Sequence, residues 1–525
     1  MKKYLVWIGA AVLVMALASP SMAQFKSWGH LEVESYWMAN KSFDKEANDK
    51  NYQGLGMRYR FNLGYGDPKT VMAVLGFEAN SRGFGEVPND TGAQVIPTSG
   101  YPAGQQPVAG GSGGVSVAGK TGVGGWGTDA IGLQVRHAYL DFTIPNTPLT
   151  MQVGLQAQVF GGFLGRFFML KDVPAFVLNG NFAPHTISAF WWKGVKQNYY
   201  MDNDLDYYGL LYRMKQKMLN VEAWFVYGND RRTTMDSFTL VRSGTGPYTY
   251  AITETQTLRL YEQKPWWLGG NVPMTFGNLK FEPTLIYLGG KAVDSPAANS
   301  GIQSKDWSAW LADVMVSYRL GPGLSILAEG FYASGVDNTK MGPTDTYTGW
   351  ASPYVNNIYP PAANLYAAGF TDGTEGRNVF GNGWSVFYFW NTELSYYSGH
   401  QLTPSGHMFG RGNVEFNPLA WLNLNVNYLY IMNSANKFVG HIYGAQSQAT
   451  PAGFTGQATG YSDKTFVGQE INAIAKIAIY KDFMYAVGFG YFFPGDVFDK
   501  PASGTTPAKT ADQGWSLLTN LKYVF

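Results

Sequence analysis

Cysteine is absent from all 525 residues. Its absence excludes disulfides, thiolate metal sites, covalent haem attachment through CxxCH and the acylated cysteine of a lipoprotein. Long apolar runs are missing too: beyond residue 23 no stretch approaches 18 consecutive apolar residues, which excludes helical membrane spans. Charged residues make up only 14% of the chain, with 38 basic against 37 acidic. Helix-period apolar stripes are scarce, and no linker separates independent cores over a length sufficient for two or three soluble domains.

Aromatic residues are abundant: 34 Tyr, 33 Phe and 16 Trp are spread over the whole length. The chain opens with Lys2 and Lys3, an apolar stretch from Tyr4 to Leu17, and the small-x-small site Ser21-Met22-Ala23. That three-part pattern predicts a secretory signal peptide over 1–23 and a mature chain from Gln24. Losing Lys2 and Lys3 leaves 36 basic against 37 acidic residues, a net charge of −1. Such a balance gives no electrostatic basis for binding nucleic acid.

Most of the remainder alternates with period two. In 55–66, Leu55, Met57, Tyr59, Phe61, Leu63 and Tyr65 share one parity, while Arg58, Arg60 and Asn62 share the other. Successive strand residues point to opposite faces, so one face is apolar and the other carries the arginines. The pattern recurs. Leu149, Met151, Val153 and Leu155 stand against Gln152, Gln156 and Gln158; Leu422, Leu424, Val426 and Tyr428 stand against Asn423, Asn425 and Asn427; Ile471, Ala473, Ala475 and Ile477 stand against Asn472 and Lys476. Three glutamines on one strand face are costly in a dry core and natural beside water. Apolar-out, polar-in alternation is the signature of a membrane-spanning β-barrel.

The connections alternate in length. Short turns fall at 66–69, 145–148, 216–219, 277–278, 321–323, 417–420 and 481–482, and long segments at 83–129, 229–264, 290–304, 335–383, 433–463 and 494–512. Outer-membrane barrels have short periplasmic turns and long external loops. The predicted fold is therefore all-β, an antiparallel up-and-down transmembrane barrel over 24–525. About 18 strands are expected, with 16 the alternative count. The strand-like stretch 384–397 is assigned to a loop or strand tip, because counting it would make the total odd and leave the last strand parallel to the first.

Two segments, 133–162 and 467–498, resemble conserved strand pairs of Gram-negative outer-membrane porins, in particular the alginate-export-like group. In the second, Gly468 and Glu470 form a G-x-E strand, followed after a short turn by the run from Phe492 to Asp496. The resemblance implies an 18-stranded outer-membrane channel. The final strand, ending on Phe525 with Tyr523 and Leu521 at alternate positions before it, resembles the signal read by the outer-membrane assembly machinery.

The inward parity nominates pore-lining residues of mixed charge: Arg58, Arg60, Arg136, Arg319, Arg411 and Lys476 against Glu78, Asp313 and Glu329, with Gln152, Gln156, Gln158, Asn423, Asn425 and Asn427 between them. The apolar segment 160–176 is a candidate constriction loop carrying Arg166, Lys171 and Asp172; extension of the neighbouring strands is the alternative. No pair of the six histidines has His-x-x-x-His spacing, and nothing nominates a catalytic serine, so no enzymatic activity and no cofactor or metal is expected. Asp202, Asp204 and Asp206 have the alternate spacing of a calcium loop but lack its glycine and terminal glutamate, which favours a solvated loop.

The expected function is an outer-membrane channel for small hydrophilic solutes or ions, in contact with outer-membrane lipid. The alternatives are a sheath around a separate cytochrome in an electron conduit, since this chain can carry no haem c of its own, and a polysaccharide exporter.

Overall fold

In the computed structural model, residues 24–40, 51–67, 69–81, 132–160, 168–195, 205–231, 233–234, 240–242, 250–252, 259–260, 262–294, 305–335, 346, 385–386, 407–434, 437–438, 461–462, 464–499 and 510–525 are described. The predicted signal peptide, the calcium-spaced Asp202 and Asp204, all of 83–129, and all of 384–397 except 385–386 lie outside them.

Eighteen strands form the wall: β1 Gln24–Ala39, β2 Asn51–Asp67, β3 Val71–Ser81, β4 Gly132–Thr143, β5 Leu149–Phe160, β6 Met169–Phe182, β7 His185–Val195, β8 Leu205–Lys215, β9 Asn220–Asp230, β10 Glu262–Asn271, β11 Leu279–Asp294, β12 Lys305–Gly321, β13 Leu324–Ala333, β14 His407–Leu419, β15 Leu422–Asn433, β16 Phe466–Tyr480, β17 Phe483–Pro494 and β18 Gly514–Val524. Each pairs antiparallel with its neighbours in the chain. The circle closes where β1 pairs with β18, from His30 opposite Val524 to Ala39 opposite Trp515. Beyond the ladder, Phe525 donates its N–H to the carbonyl of Gly29 at 3.1 Å and accepts from the N–H of Gly29 at 2.9 Å. Closure removes the unpaired sheet edge that a membrane would not tolerate.

The short turns gather at one end. Several rely on left-handed backbone at Asn146 (φ 62°), Gly277 (φ 60°) and Gly323 (φ 97°), a conformation that glycine and asparagine adopt cheaply. The long connections all leave from the other end. Short two-stranded ribbons continue there, such as Leu240–Arg242 with Tyr250–Ile252.

The exterior is apolar and exposed. Leu210, Leu268, Leu285 and Val426 are each more than half exposed on it. Tyr59 and Phe61 of β2 turn outward and stack with Phe525 at centroid distances of 6.0 and 6.2 Å, so the apolar parity of 55–66 is the outer face. On the long-loop half, Tyr287 contacts Trp266 at 5.3 Å and Trp310 at 4.4 Å. A continuous apolar wall with aromatic belts is stable only in lipid, and bacterial outer-membrane barrels of a single chain carry an even number of strands. The wall is that of an outer-membrane barrel.

The inward face is not polar throughout, and here the strand-by-strand expectation fails. On the long-loop half of β7–β14, inward positions carry Trp192, Tyr207, Trp224, Trp267, Leu311 and Phe409, all buried. Phe168, from the β5–β6 connection, and Val497, in the short 3-10 turn Asp496–Phe498, pack into the same cluster. Phe168 lies 5.3 Å from Trp224 and 6.3 Å from Trp267, ring to ring. The barrel thus has two storeys: an apolar core toward the long loops, and a polar zone from mid-height to the short turns.

Candidate functional site: the polar zone of the barrel interior

Neighbouring strands bring the inward charges together in pairs. The β2–β3 register places Arg60 opposite Glu78, and the Arg60 Nε donates to the Glu78 carboxylate. On β4 a bulge opposite Gly76 and Phe77 turns both Arg136 and His137 inward. Arg136 reaches Glu78 at 3.2 Å and Asp172 at 2.5 Å, while His137 bridges Asp172 (3.0 Å) and Asn62 (3.1 Å). On the other side of the seam, Glu32 accepts from Asn520 at 2.9 Å and lies 3.8 Å from Lys522. These groups form a mid-height belt of alternating sign over β18 and β1–β6.

A second group lies across the barrel. Arg411 donates to Glu329 at 2.6 Å, their side chains 5% and 1% exposed. Asp313 and Glu282 are within electrostatic reach of the same pair. Lys280, at the short-turn mouth, holds Glu282 at 2.9 Å.

The third element is a carboxamide ladder on β14–β16. Asn423 donates to Asn417 at 2.7 Å and to Glu415 at 2.7 Å. Asn425 donates to Asn423, Asn413 to Asn427 at 3.0 Å, Asn427 to Asn472 at 3.0 Å, and Asn472 to Glu470 at 2.8 Å. Glu470 then anchors a segment of the β13–β14 connection. Its carboxylate accepts from the Ser385 hydroxyl (2.9 Å) and the Val386 N–H (2.7 Å), and Ser516 donates to the Val386 carbonyl at 2.6 Å. The stretch assigned to a loop therefore enters the barrel at these two residues.

Gly468 explains the G-x-E spacing. Its φ is +147°, and a Cβ there would collide with the Phe493 carbonyl and the Phe492 ring. Only glycine suits the local break in register against β15, and that break sets Glu470 inward.

Of the other nominated residues, Gln152 donates to Asp141 at 2.9 Å, and Gln156 is buried and donates to the Ala175 carbonyl at 3.2 Å. Gln158 sits one inward position further along β5, opposite Lys171. Lys476 faces inward, half-buried, within electrostatic reach of Glu415. Arg319 is exposed at the short-turn mouth. The side chains of Arg58 and Lys171, and all of Arg166, lie outside the described residues.

The constriction-loop assignment needs correction. Lys171 and Asp172 belong to the wall, because β6 starts at Met169 and pairs with β5 without interruption from Phe160–Met169 to Leu149–Gly180. The backbone of an apolar segment gains more from a completed ladder than from an exposed loop. Of that segment, Phe168, Val173 and Ala175 join the apolar core of the interior. Asp206 is likewise in the wall, paired with Lys193 at 2.7 Å, and among the described residues no cluster suits a metal ion.

Sequence reasoning overlooked the roles of Glu32, Asn62, Glu470 and the inward aromatics. The aromatics did leave a signal: Trp191-Trp192, Tyr207-Tyr208 and Trp266-Trp267 put large rings on both parities, which marks strands with something to bury on each side.

Orientation is testable by single-cysteine labelling in a chain that has no cysteine of its own. Cysteines at Leu63 or Val153 are expected to resist water-soluble thiol reagents in membranes, and those at Gln152 or Asn425 to react. The reverse result would make the apolar face an interior core.

No family model and no curated protein matches the chain, so the alginate-export-like resemblance gains no support. Among solved structures, OccAB1 of Acinetobacter baumannii is 12% identical with a TM-score of 0.47, covering 95% of this chain and 97% of that one. OccK2 (OpdF) of Pseudomonas aeruginosa is 9% identical with a TM-score of 0.44, covering 95% and 98%. OmpT, an outer-membrane protein of Vibrio cholerae, is 10% identical with a TM-score of 0.37, covering 97% and 99%.

Proposed function

We propose that the chain is an outer-membrane channel through which small hydrophilic solutes cross, after export directed by residues 1–23. The observation that carries this reading is the inward belt of Arg60, Glu78, Arg136 and Asp172 inside a closed barrel whose outer wall is apolar. Charged groups held at mid-height in a membrane are stable where water or an opposite charge meets them, and Arg60 and Arg136 keep 16% and 14% of their side-chain surface exposed. The same belt would act on passing ions over a Debye length of about 8 Å at physiological salt. Exposed Phe525, stacked on Tyr59 and Phe61 at the barrel seam, is the feature through which the assembly machinery would recognise the last strand. A cytochrome sheath is less favoured, because Phe168 and Val497 of this chain occupy part of the long-loop half of the interior.

Planar-bilayer recording tests the reading. Discrete conductance steps are expected from the purified protein. Arg60→Ala, which leaves the acids of the belt with less positive charge, is expected to shift the reversal potential in a salt gradient toward cation preference. Absence of steps from correctly folded barrels would overturn the channel. Unchanged selectivity would remove Arg60 from the conduction path.

A further inference from the structure

We infer that the carboxamide ladder on β14–β16 is a track for neutral, hydroxyl-rich solutes, the class of small sugars and polyols. This rests on the channel reading and goes further by naming what the channel favours.

Six asparagines, Asn413, Asn417, Asn423, Asn425, Asn427 and Asn472, stand on adjacent inward faces. Side-chain bonds join Asn417, Asn423 and Asn425 into one run and Asn413, Asn427 and Asn472 into another. A longer contact of 3.4 Å from Asn413 to Asn425 links the two. The far end is fixed: Asn427 and Asn472 are fully buried and lead to Glu470. The near end is open, with Asn413, Asn423 and Asn425 half-buried and Asn417 exposed.

Each carboxamide has two donor hydrogens and two acceptor lone pairs. The open residues therefore keep capacity beyond the bonds they make to one another. A hydroxyl group also donates and accepts at a single centre. A sugar moving along these residues can exchange water's hydrogen bonds for theirs one at a time, without desolvating a charge. Weak, repeated sites of this kind allow entry without trapping, which conduction requires.

The charges elsewhere on the wall support the neutral class. Around the belt each acid faces a base: Glu78 with Arg60 and Arg136, Asp172 with Arg136, and Glu32 with Lys522. Beside the ladder, Lys476 is offset by Glu415. At the open end of the ladder, where Lys476 and Glu415 offset each other, a carboxylate or ammonium solute meets charges that already face their opposites, whereas a polyhydroxylated one meets a row of amides.

Proteoliposome swelling with glucose, gluconate and glucosamine, three solutes of one size and three charges, tests the assignment, with glycine as a smaller control. Through the native protein glucose is expected to enter faster than either charged relative. Asn423→Leu combined with Asn425→Leu is expected to slow glucose several-fold while glycine entry is kept. The isosteric Asn425→Asp, which preserves packing, is expected to shift preference toward glucosamine. A ladder that only braced the wall would alter stability and leave these ratios alone. Equal entry of the three hexose derivatives, or variants that slow every solute alike, would overturn the track and leave the channel standing. Entry of none, glycine included, would overturn the channel itself.

Discussion

Arg411→Ala is expected to destabilise the barrel by about 3–5 kcal/mol, the range found when one partner of a buried ion pair is removed. Arg411 and Glu329 lie on adjacent strands, β14 and β13, directly opposite in register. Both are nearly inaccessible, and Arg411 donates to the glutamate at 2.6 Å. Asp313 on β12 and Glu282 on β11 place two further carboxyl groups beside the same pair. Without the guanidinium, Glu329 is left beside two other carboxyl groups in a site from which water is largely excluded, and its desolvation is uncompensated. Urea unfolding in lipid vesicles, read by tryptophan fluorescence, measures the loss. The double variant Arg411→Leu with Glu329→Leu is expected to recover part of it, since no lone partner remains buried. A single variant within about 1 kcal/mol of native would mean that water already reaches the cluster.

The second large effect is expected at Glu470. Its carboxylate holds the Ser385 hydroxyl, the Val386 N–H and the Asn472 amide together. Hydrogen bonds to a charged group contribute about 1.5–3 kcal/mol each, though they do not add simply. Glu470→Ala removes all three and leaves the Val386 N–H without its acceptor, so residues 385–386 should leave the wall. Glu470→Gln keeps an acceptor oxygen but loses the charge, and should fall between. The measurement is limited proteolysis of the reconstituted protein, with cleavage near residue 386 expected to rise in the order native, Gln, Ala. Single-channel current should become noisier in the same order. If the alanine variant resists protease as well as the native chain does, the neighbouring apolar contacts of Val386 with Ile474, Ala486 and Leu518 hold the segment without the carboxylate.

Much of the wall was readable from local pattern. Strand positions, the even count and the segregation of short turns from long loops all follow from alternation and turn residues, which act over two to five neighbouring residues. β6 shows the limit of that reading. Its first residues, Met169 to Lys171, show no clear alternation, and only their ladder with β5 makes them strand. The inward aromatics of β7, β8 and β10 show another. Rings on both parities indicated burial on both faces, but not that Phe168 and Val497 would supply the partner surface from inside.

The sequence by itself determined which residues alternate, hence which parity could face lipid, and that the chain would close on itself as a barrel. Only the tertiary structure decided which charges meet. Glu78 finds Arg60 and Arg136, Arg411 finds Glu329 from 82 residues away, and Glu470 finds Ser385 from 85. Orientation within a strand is a property of period two, carried by each residue and its nearest neighbours. Pairing across strands depends on register, on bulges such as those at Arg136 and Gly468, and on how far each long connection folds back, and these are settled only when the whole circle of strands closes.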